Sequence, residues 1–521
     1  MKQKAKNILV FIVILIAVIV AVGSIYYRIG YPNQDFDEIL FHLFNGAEHT
    51  STNVVNHVIK SCFLPVILLT AILYIPAIRT DKKKIVNVTT KQKEYNVQVF
   101  PIKFISNHRK IYLTIILIIS LIIAITGLKI DKYIVYKIQQ TKLFEEYYVN
   151  AKDVNITFPE NKRNLIIIIA ESMENSLMSR ENGGDWNYSI IPELEGLAMK
   201  NTNFSNTEKL GGMQQVNGAN FTAAGIISMH SGVPLLVASF VQNRNVYRGN
   251  GKYLGGVYTL GDVLKEEGYN LEAMMGSYAK FGGRYEYLTT HGQYKIFDYE
   301  YALNQNLITE QESKWWGFED DKLFDWSKQE IINLSKEDKP FNYIMLTADT
   351  HFPDGYLSEN AEKKFNNQYE NVYAYSSKKI YEFVSWIQEQ PFYKNTTIVI
   401  IGDHLGMQDN FYNTQKGYIR TVYNAIINPA IEETNSKNRV FTTMDMFPTI
   451  LASIGVQIEG EKLGLGTNLY SGVPTLAETI GIQELDTELK KNSSFYNKKI
   501  LGDDYYTIKV NERKGDSWFD E

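Results

Sequence analysis

Apolar residues fall along this 521-residue chain in two patterns, and the change between them divides it. In the first quarter they run almost without polar interruption. Ile8–Tyr26, Ser61–Ile78 and Ile111–Leu128 are each long enough to cross about 30 Å of hydrocarbon as a helix. Beyond Asn164, short apolar runs alternate with amphipathic ones. Leu165–Ala170, Asn270–Met275, Phe341–Thr347, Thr397–Ile401 and Val422–Ile427 read as strands, with Gly402 ending the fourth. Tyr373–Gln388 and Met444–Ile454 read as helices. Strands alternating with helices predict an α/β domain, a mostly parallel sheet covered on both faces. Between the two regimes, Ile134, Val135, Ile138, Leu143 and Tyr147 recur at helical spacing. They suit either a helix on a membrane surface or a linker helix packed on the next domain. The division is therefore a membrane domain over 1–130, a linker over 131–160 and a large domain over 161–521.

Charge orients the spans. Lys82, Lys83, Lys84, Lys91, Lys93 and Lys103 crowd the loop between the second and third, whereas Asp35, Asp37, Glu38 and Glu48 lie between the first and second. The positive-inside rule places the lysine loop in the cytoplasm, and three spans then put everything after Leu128 outside. Ala21-Val22-Gly23 also resembles a signal-peptide cleavage site, a reading that leaves the sidedness of the large domain unchanged. Apolar content of 45% and charged content of 21% imply a sizeable folded core. A net charge of −5 gives no electrostatic footprint for nucleic acid. Cys62 is the one cysteine, so neither an intramolecular disulfide nor a cysteine metal site can form.

In a parallel sheet, ligands bind beyond the carboxyl ends of the strands. Glu171 follows the first strand, Asp349-Thr350-His351 the third, and Asp403-His404 the fourth. A glycine loop with Arg284 follows the second. Thr222 lies in NFTAAGIISMHSGVP, which reads as a helix start, a place that attracts anions. Glu171, Asp403 and His404 are donors suited to Mn²⁺, Mg²⁺ or Zn²⁺. A hydroxyl on such an ion loses its proton readily and becomes a nucleophile. Each residue also has an ordinary structural reading. Glu171 suits a cap for a helix from Ser172, Thr222 an N-cap, His351 a satisfied loop histidine and Arg284 a surface ion pair. Their recurrence on successive strand ends favours a metal site. The H-E-x-x-H of zinc proteases, the G-x-S-x-G of serine hydrolases and the C/S-x-P-x-R of formylglycine sulfatases are absent.

AESMEN, NFTAAGIISMHSGVPLL, LGDVLKEEGY, KFGGRYEYLTTHG, WWGFEDDKLF, TADTHFPDG, IIGDHLGM and TTMDMFPTILASIG run in this order over Asn164–Glu478. Together they resemble the sulfatase–alkaline phosphatase superfamily, and within it the lipid-dependent phosphoglycerol transferases that modify periplasmic glucans. Lipoteichoic acid synthases are a second likeness. The resemblance implies an extracytoplasmic catalytic domain anchored in the bacterial cytoplasmic (inner) membrane by several spans. It implies one divalent ion, manganese by preference, held by Glu171, Thr222, Asp403 and His404. Thr222 would be the nucleophile, His351 would act at the substrate phosphate, and Arg284 would bind glycerol phosphate. The implied donor is phosphatidylglycerol and the acceptor an envelope glycan, with a glycerophospho-threonine intermediate. Met275 and Gly282 stand where the synthases have histidine and tryptophan, which speaks against polymerising activity. Two alternatives are a phosphoethanolamine transferase, whose usual disulfides one cysteine cannot supply, and a non-catalytic envelope assembly protein.

Overall fold

The computed structural model describes residues 2–32, 34–44, 52–79, 84–89, 94–100, 102–236, 252–412 and 415–502. Lys82, Lys83, Lys91 and Lys93 of the basic loop, Glu48, and the polar tail from 503 onward lie outside them. The chain divides into two compact units, Met1–Phe36 with Thr52–Val135, and Asp37–Ser51 with Tyr136–Glu521.

The first quarter holds α1 (Lys2–Gly30), α2 (Phe36–Phe44), α3 (Thr52–Ala77) and, in last place, α4 (Arg109–Gly127). All of α2 except Phe36 belongs to the second unit. Among the described residues α1, α3 and α4 are the helices long and apolar enough to cross a membrane. Val10, Ile14, Ala17, Val18 and Val22 of α1 close on Ala77 and Ile116. The Ser120 hydroxyl donates to the Ala17 carbonyl at 2.7 Å and the Tyr112 hydroxyl to that of Leu73 at 3.0 Å. Such bonds fix helix register where water is scarce. Ile8, Leu9, Phe63, Leu64 and Ile111 stay exposed, as lipid-facing positions would. An antiparallel hairpin, Lys84–Thr89 with Glu94–Phe100, stands between α3 and α4, in a loop that charge alone had defined.

The second unit is built on a six-stranded sheet. In chain order its strands are β1 (Asn164–Ala170), β2 (Asn270–Met275), β3 (Lys295–Phe297), β4 (Phe341–Leu346), β5 (Thr396–Gly402) and β6 (Asn424–Ile427). The spatial order is β3-β2-β4-β1-β5-β6. All neighbours are parallel except β5 and β6. Side chains alternate between faces along a strand. Ile166, Ile168, Tyr343, Met345, Ile398 and Ile400 accordingly share one core. Helices α5 (Pro192–Lys200), α8 (Asp320–Leu334) and α9 (Gln368–Gln388) cover that face, and α6 (Thr222–Ser231), α7 (Leu260–Glu266) and α10 (Met446–Ser453) lie on the other. Double coverage explains why LIIIIA and TIVII lack polar alternation.

Three local expectations differ from the structure, and one strand was not foreseen. Gly402 is not a break after the strand but its last paired residue, opposite Ala170, and a Cβ there would lie 2.1 Å from the Met173 carbonyl oxygen. The fifth apolar run forms only a short antiparallel edge strand, β6. β3 is too short to signal itself by periodicity. The linker forms two short helices, Ile130–Lys137 and Leu143–Tyr147, instead of one continuous helix.

Candidate functional site

Register brings the first two donors together. Ala170 and Gly402 pair at the carboxyl ends of the central strands β1 and β5, so Glu171 and Asp403 leave the sheet side by side. On the other flank of β1, the Glu171 amide donates to the Thr347 hydroxyl at 3.0 Å, and the Thr350 hydroxyl donates back to the Glu171 carbonyl at 2.6 Å. Ser172 adopts a positive φ of 55°. That turn aims its amide at Asp403 Oδ1 (2.8 Å) and its hydroxyl at Glu171 Oε1 (2.8 Å). The His404 amide also donates to Asp403 Oδ1, at 2.9 Å.

Glu171, Asp403 and His404 each offer a ligand atom, and the three atoms lie within 4.8 Å of one another. The His404 Nδ1 donates to the Leu405 carbonyl at 2.8 Å, which directs Nε2 inward. Nε2 lies 3.3 Å from Glu171 Oε1 and 3.3 Å from Asp403 Oδ2. Thr222 opens α6, and its hydroxyl donates to Glu171 Oε2 at 3.1 Å and stands 3.4 Å from His404 Nε2. The residue at the N-cap is Phe221, not Thr222, so the threonine hydroxyl is turned to the carboxylates instead of closing its own helix. Helix α6 reaches the Asp403 turn because Gly225 has no side chain; a Cβ there would lie 2.2 Å from the Asp403 carbonyl oxygen.

All three ligating residues are buried. Burial penalises the Glu171 carboxylate, but His404 beside it outweighs this and holds its pKa well below the usual range. Burial would deprotonate His404; Asp403 and Glu171 reverse the effect and raise it to about 10. Asp403 is pushed up by burial and by the Glu171 charge. The pocket is thus a nest of negative charge that accepts a cation, here the imidazolium proton. Among the described residues Asp403 Oδ2 accepts no hydrogen bond although it is buried. An orphaned carboxylate oxygen beside an imidazole and a second carboxylate fits a divalent ion.

His351 and Arg284 stand on the adjoining rim. His351 Nδ1 donates to the Phe352 carbonyl at 2.7 Å, and its ring packs 4.6 Å from that of Trp316. Burial lowers its pKa, with the Glu171 charge opposing, so its imidazole is neutral near pH 7. Arg284 is less free than the sequence suggests. Its Nε donates to the Phe281 carbonyl (3.0 Å), and its Nη2 to Ser277 Oγ (3.1 Å) and the Tyr278 carbonyl (2.8 Å). Nη1 makes no hydrogen bond among the described residues. Burial lowers its pKa to about 10, with Glu171, Asp298 and Asp403 opposing. It is therefore a cation within electrostatic reach of the carboxylates, not a surface ion pair.

One supporting pair has no sequence signature. Glu174 accepts from Arg420 Nε at 2.9 Å and from the Gly406 amide at 2.9 Å, while Arg420 Nη2 donates to the Gly406 carbonyl at 2.7 Å. The pair clamps the turn that follows His404. Arg420 also lies 4.0 Å over the Tyr412 ring and pairs with Asp409 at 2.8 Å.

A parallel sheet with two carboxylates, an imidazole and a threonine gathered beyond its strand ends defines a metalloenzyme-like α/β domain. The sulfatase family profile matches residues 163–456, more than half of the chain, and the protein belongs to that family. Phosphoglycerol transferase I of Escherichia coli O127:H6 is 30% identical over 341 residues, which cover 63% of this chain and 41% of that protein. The chain thus spans well under half the length of the curated relatives it matches. Among solved structures, an alkaline phosphatase superfamily protein from Vibrio parahaemolyticus is 22% identical, covering 62% of this chain and 74% of that one, with a TM-score of 0.47. A lipoteichoic acid synthase from Listeria monocytogenes is 19% identical, covering 62% and 82%, with a TM-score of 0.48.

Proposed function

We propose that the protein transfers phosphoglycerol from phosphatidylglycerol to a cell-envelope glycan, through a glycerophospho-threonine on Thr222 and with one divalent ion. The observation that carries this reading is the placement of the Thr222 hydroxyl 3.1 Å from Glu171 within the Glu171–Asp403–His404 cluster. The relative named phosphoglycerol transferase I supports the choice of group transferred. Glu171, Asp403, His404 and Thr222 would hold the ion; manganese is preferred on the family likeness. When bound, such an ion lowers the proton affinity of a hydroxyl and offsets phosphate charge.

The residues then have these tasks. Thr222 Oγ attacks phosphorus and the bond to diacylglycerol breaks. His351 Nε2, unprotonated at rest, would take the proton that Thr222 Oγ gives up and pass it to the departing alkoxide; in the second half it would return to Thr222 Oγ a proton taken from the acceptor hydroxyl. That hydroxyl attacks phosphorus and Thr222 Oγ leaves. Arg284 supplies positive charge beside the phosphate oxygens. The three apolar helices would anchor the enzyme in the cytoplasmic membrane, holding an extracytoplasmic domain close to lipid headgroups at high effective concentration. The segment Asp37–Phe44, between the first two of these helices in sequence, packs with the catalytic unit. That favours one side of the membrane for both.

The test uses the full-length protein in vesicles containing headgroup-labelled phosphatidylglycerol, with manganese and an oligosaccharide acceptor. Wild type should release diacylglycerol and label the acceptor; chelation should stop both. Thr222→Ala should lose at least about a thousandfold in rate while still binding metal more weakly. Full activity in that variant would end the reading.

A further inference from the structure

We propose that α2 is part of the catalytic apparatus, with Phe41 and Glu38 acting as positioning residues for the turn that presents Thr222. The inference rests on the nucleophile role given to Thr222 above.

That turn lacks the usual device for fixing a helix start. Its N-cap, Phe221, is extended (φ −151°, ψ 162°) and makes no side-chain cap bond. A phenyl ring cannot accept from the first-turn amides as serine or aspartate would. Contact with α2 takes the place of the cap. The Phe221 ring lies 4.5 Å from the Phe41 ring with the planes at 42°. Asn220, one residue earlier, donates its side-chain amide to Glu38 Oε2 at 3.1 Å. Glu38 and Phe41 are three residues apart and so share one helical face. The two residues immediately before the nucleophile are thus held by one face of α2, one by ring packing and one by a charge-assisted bond.

A second element converges on the same spot. Gly282 has a φ of +68°, and a Cβ built on it would lie 3.3 Å from the Ala223 Cβ and 3.9 Å from Phe41 Cε1. The loop that carries Arg284 therefore meets the first turn of α6 and the Phe41 ring together. Segments near residues 40, 221 and 282 are distant in sequence, and α2 touches both of the others. Phe41 is buried, so it acts through Phe221 and not by contact with substrate.

The experiment uses the full-length protein. Removing the ring should let the nucleophile turn drift, and a displacement of about 1 Å costs on the order of a hundredfold in rate. Phe41→Ala is expected to lower kcat by about 10–100-fold with KM within about twofold of wild type. Manganese affinity should fall no further than in Thr222→Ala, because Glu171, Asp403 and His404 do not rest on α2. Phe41→Leu should recover most of the loss. Glu38→Gln, which still offers an oxygen to Asn220, should stay near wild type, whereas Glu38→Ala should not. An unchanged kcat in Phe41→Ala overturns the proposal. So does a loss shared by metal affinity and melting temperature, which would make α2 an ordinary strut. Amide hydrogen exchange gives a readout free of activity: residues 220–223 should exchange faster in Phe41→Ala while 171–173 and 403–404 do not. If wild type transfers nothing, the functional reading fails, and unchanged exchange at 220–223 then decides separately against α2.

Discussion

Thr222 shows how much chemistry one rotated hydroxyl carries. It begins a helix that it does not cap, and the donor thus released points at Glu171. Four of the six residues singled out from sequence are gathered within this one cluster, and His351 and Arg284 border it. Glu171, Asp403 and His404 were legible because strand ends are where a parallel sheet exposes chemistry, and they follow apolar runs directly; His351 and Arg284 lie in loops beyond two further strands, and Thr222 was legible as a helix start. Glu174 and Arg420 were not, since their bond joins positions 246 apart and Arg420 lies in an unremarkable loop. Glu174 is fully buried, so losing its partner strands a charge. Arg420→Ala should destabilise the protein by roughly 3–5 kcal/mol and weaken manganese binding by loosening the His404–Gly406 turn. Thermal melting and metal titration in detergent check this, and a variant with wild-type melting and affinity would contradict the clamp.

At the scale of elements, close approach explains what periodicity cannot. Helix α6 lies against the Asp403 turn only because Gly225 leaves room. Gly225→Ala should push the helix away, cost about 1–3 kcal/mol and lower transfer activity more than Ala substitution at exposed helix positions. Activity equal to wild type would show that the approach is not needed. The start of α7 gives a pH-dependent case. Asp262 accepts from the Thr259 amide at 3.0 Å and from His291 Nδ1 at 2.6 Å. Burial disfavours its carboxylate, but His291 and the capping bonds win and lower its pKa from 3.8 to about 2. A depressed folded pKa stabilises above the unfolded value and is lost as pH falls through the folded one. Asp262→Asn should therefore be less stable than wild type by roughly 2 kcal/mol at pH 7, with the gap closing between about pH 4 and pH 2. A gap independent of pH would contradict the assignment. The long elements β1, β4, β5 and α9 were legible from their apolar runs. Segment α2 was missed because nine residues within an acid-leaning loop gave no reason to assign them to a distant domain.

For the whole molecule, the change of hydrophobic pattern separated three long apolar helices from an α/β domain, and both are present. The exception is Asp37–Phe44, which sequence order assigns to one unit and packing to the other. Sidedness is open to a direct check. With Cys62 replaced by serine, a cysteine at Glu359, an exposed position of the large domain, should react with an impermeant maleimide in intact cells. Labelling only after lysis would place the domain in the cytoplasm, away from an envelope glycan acceptor, and contradict the reading.

At the centre stands a cation bound by residues that follow β1 and β5 and open α6. The measurement that meets it most directly is anomalous diffraction at the manganese edge from crystals of the full-length protein. One peak is expected within roughly 2.0–2.2 Å of donor atoms of Glu171, Thr222, Asp403 and His404. A peak elsewhere, or none at saturating manganese, would contradict the account.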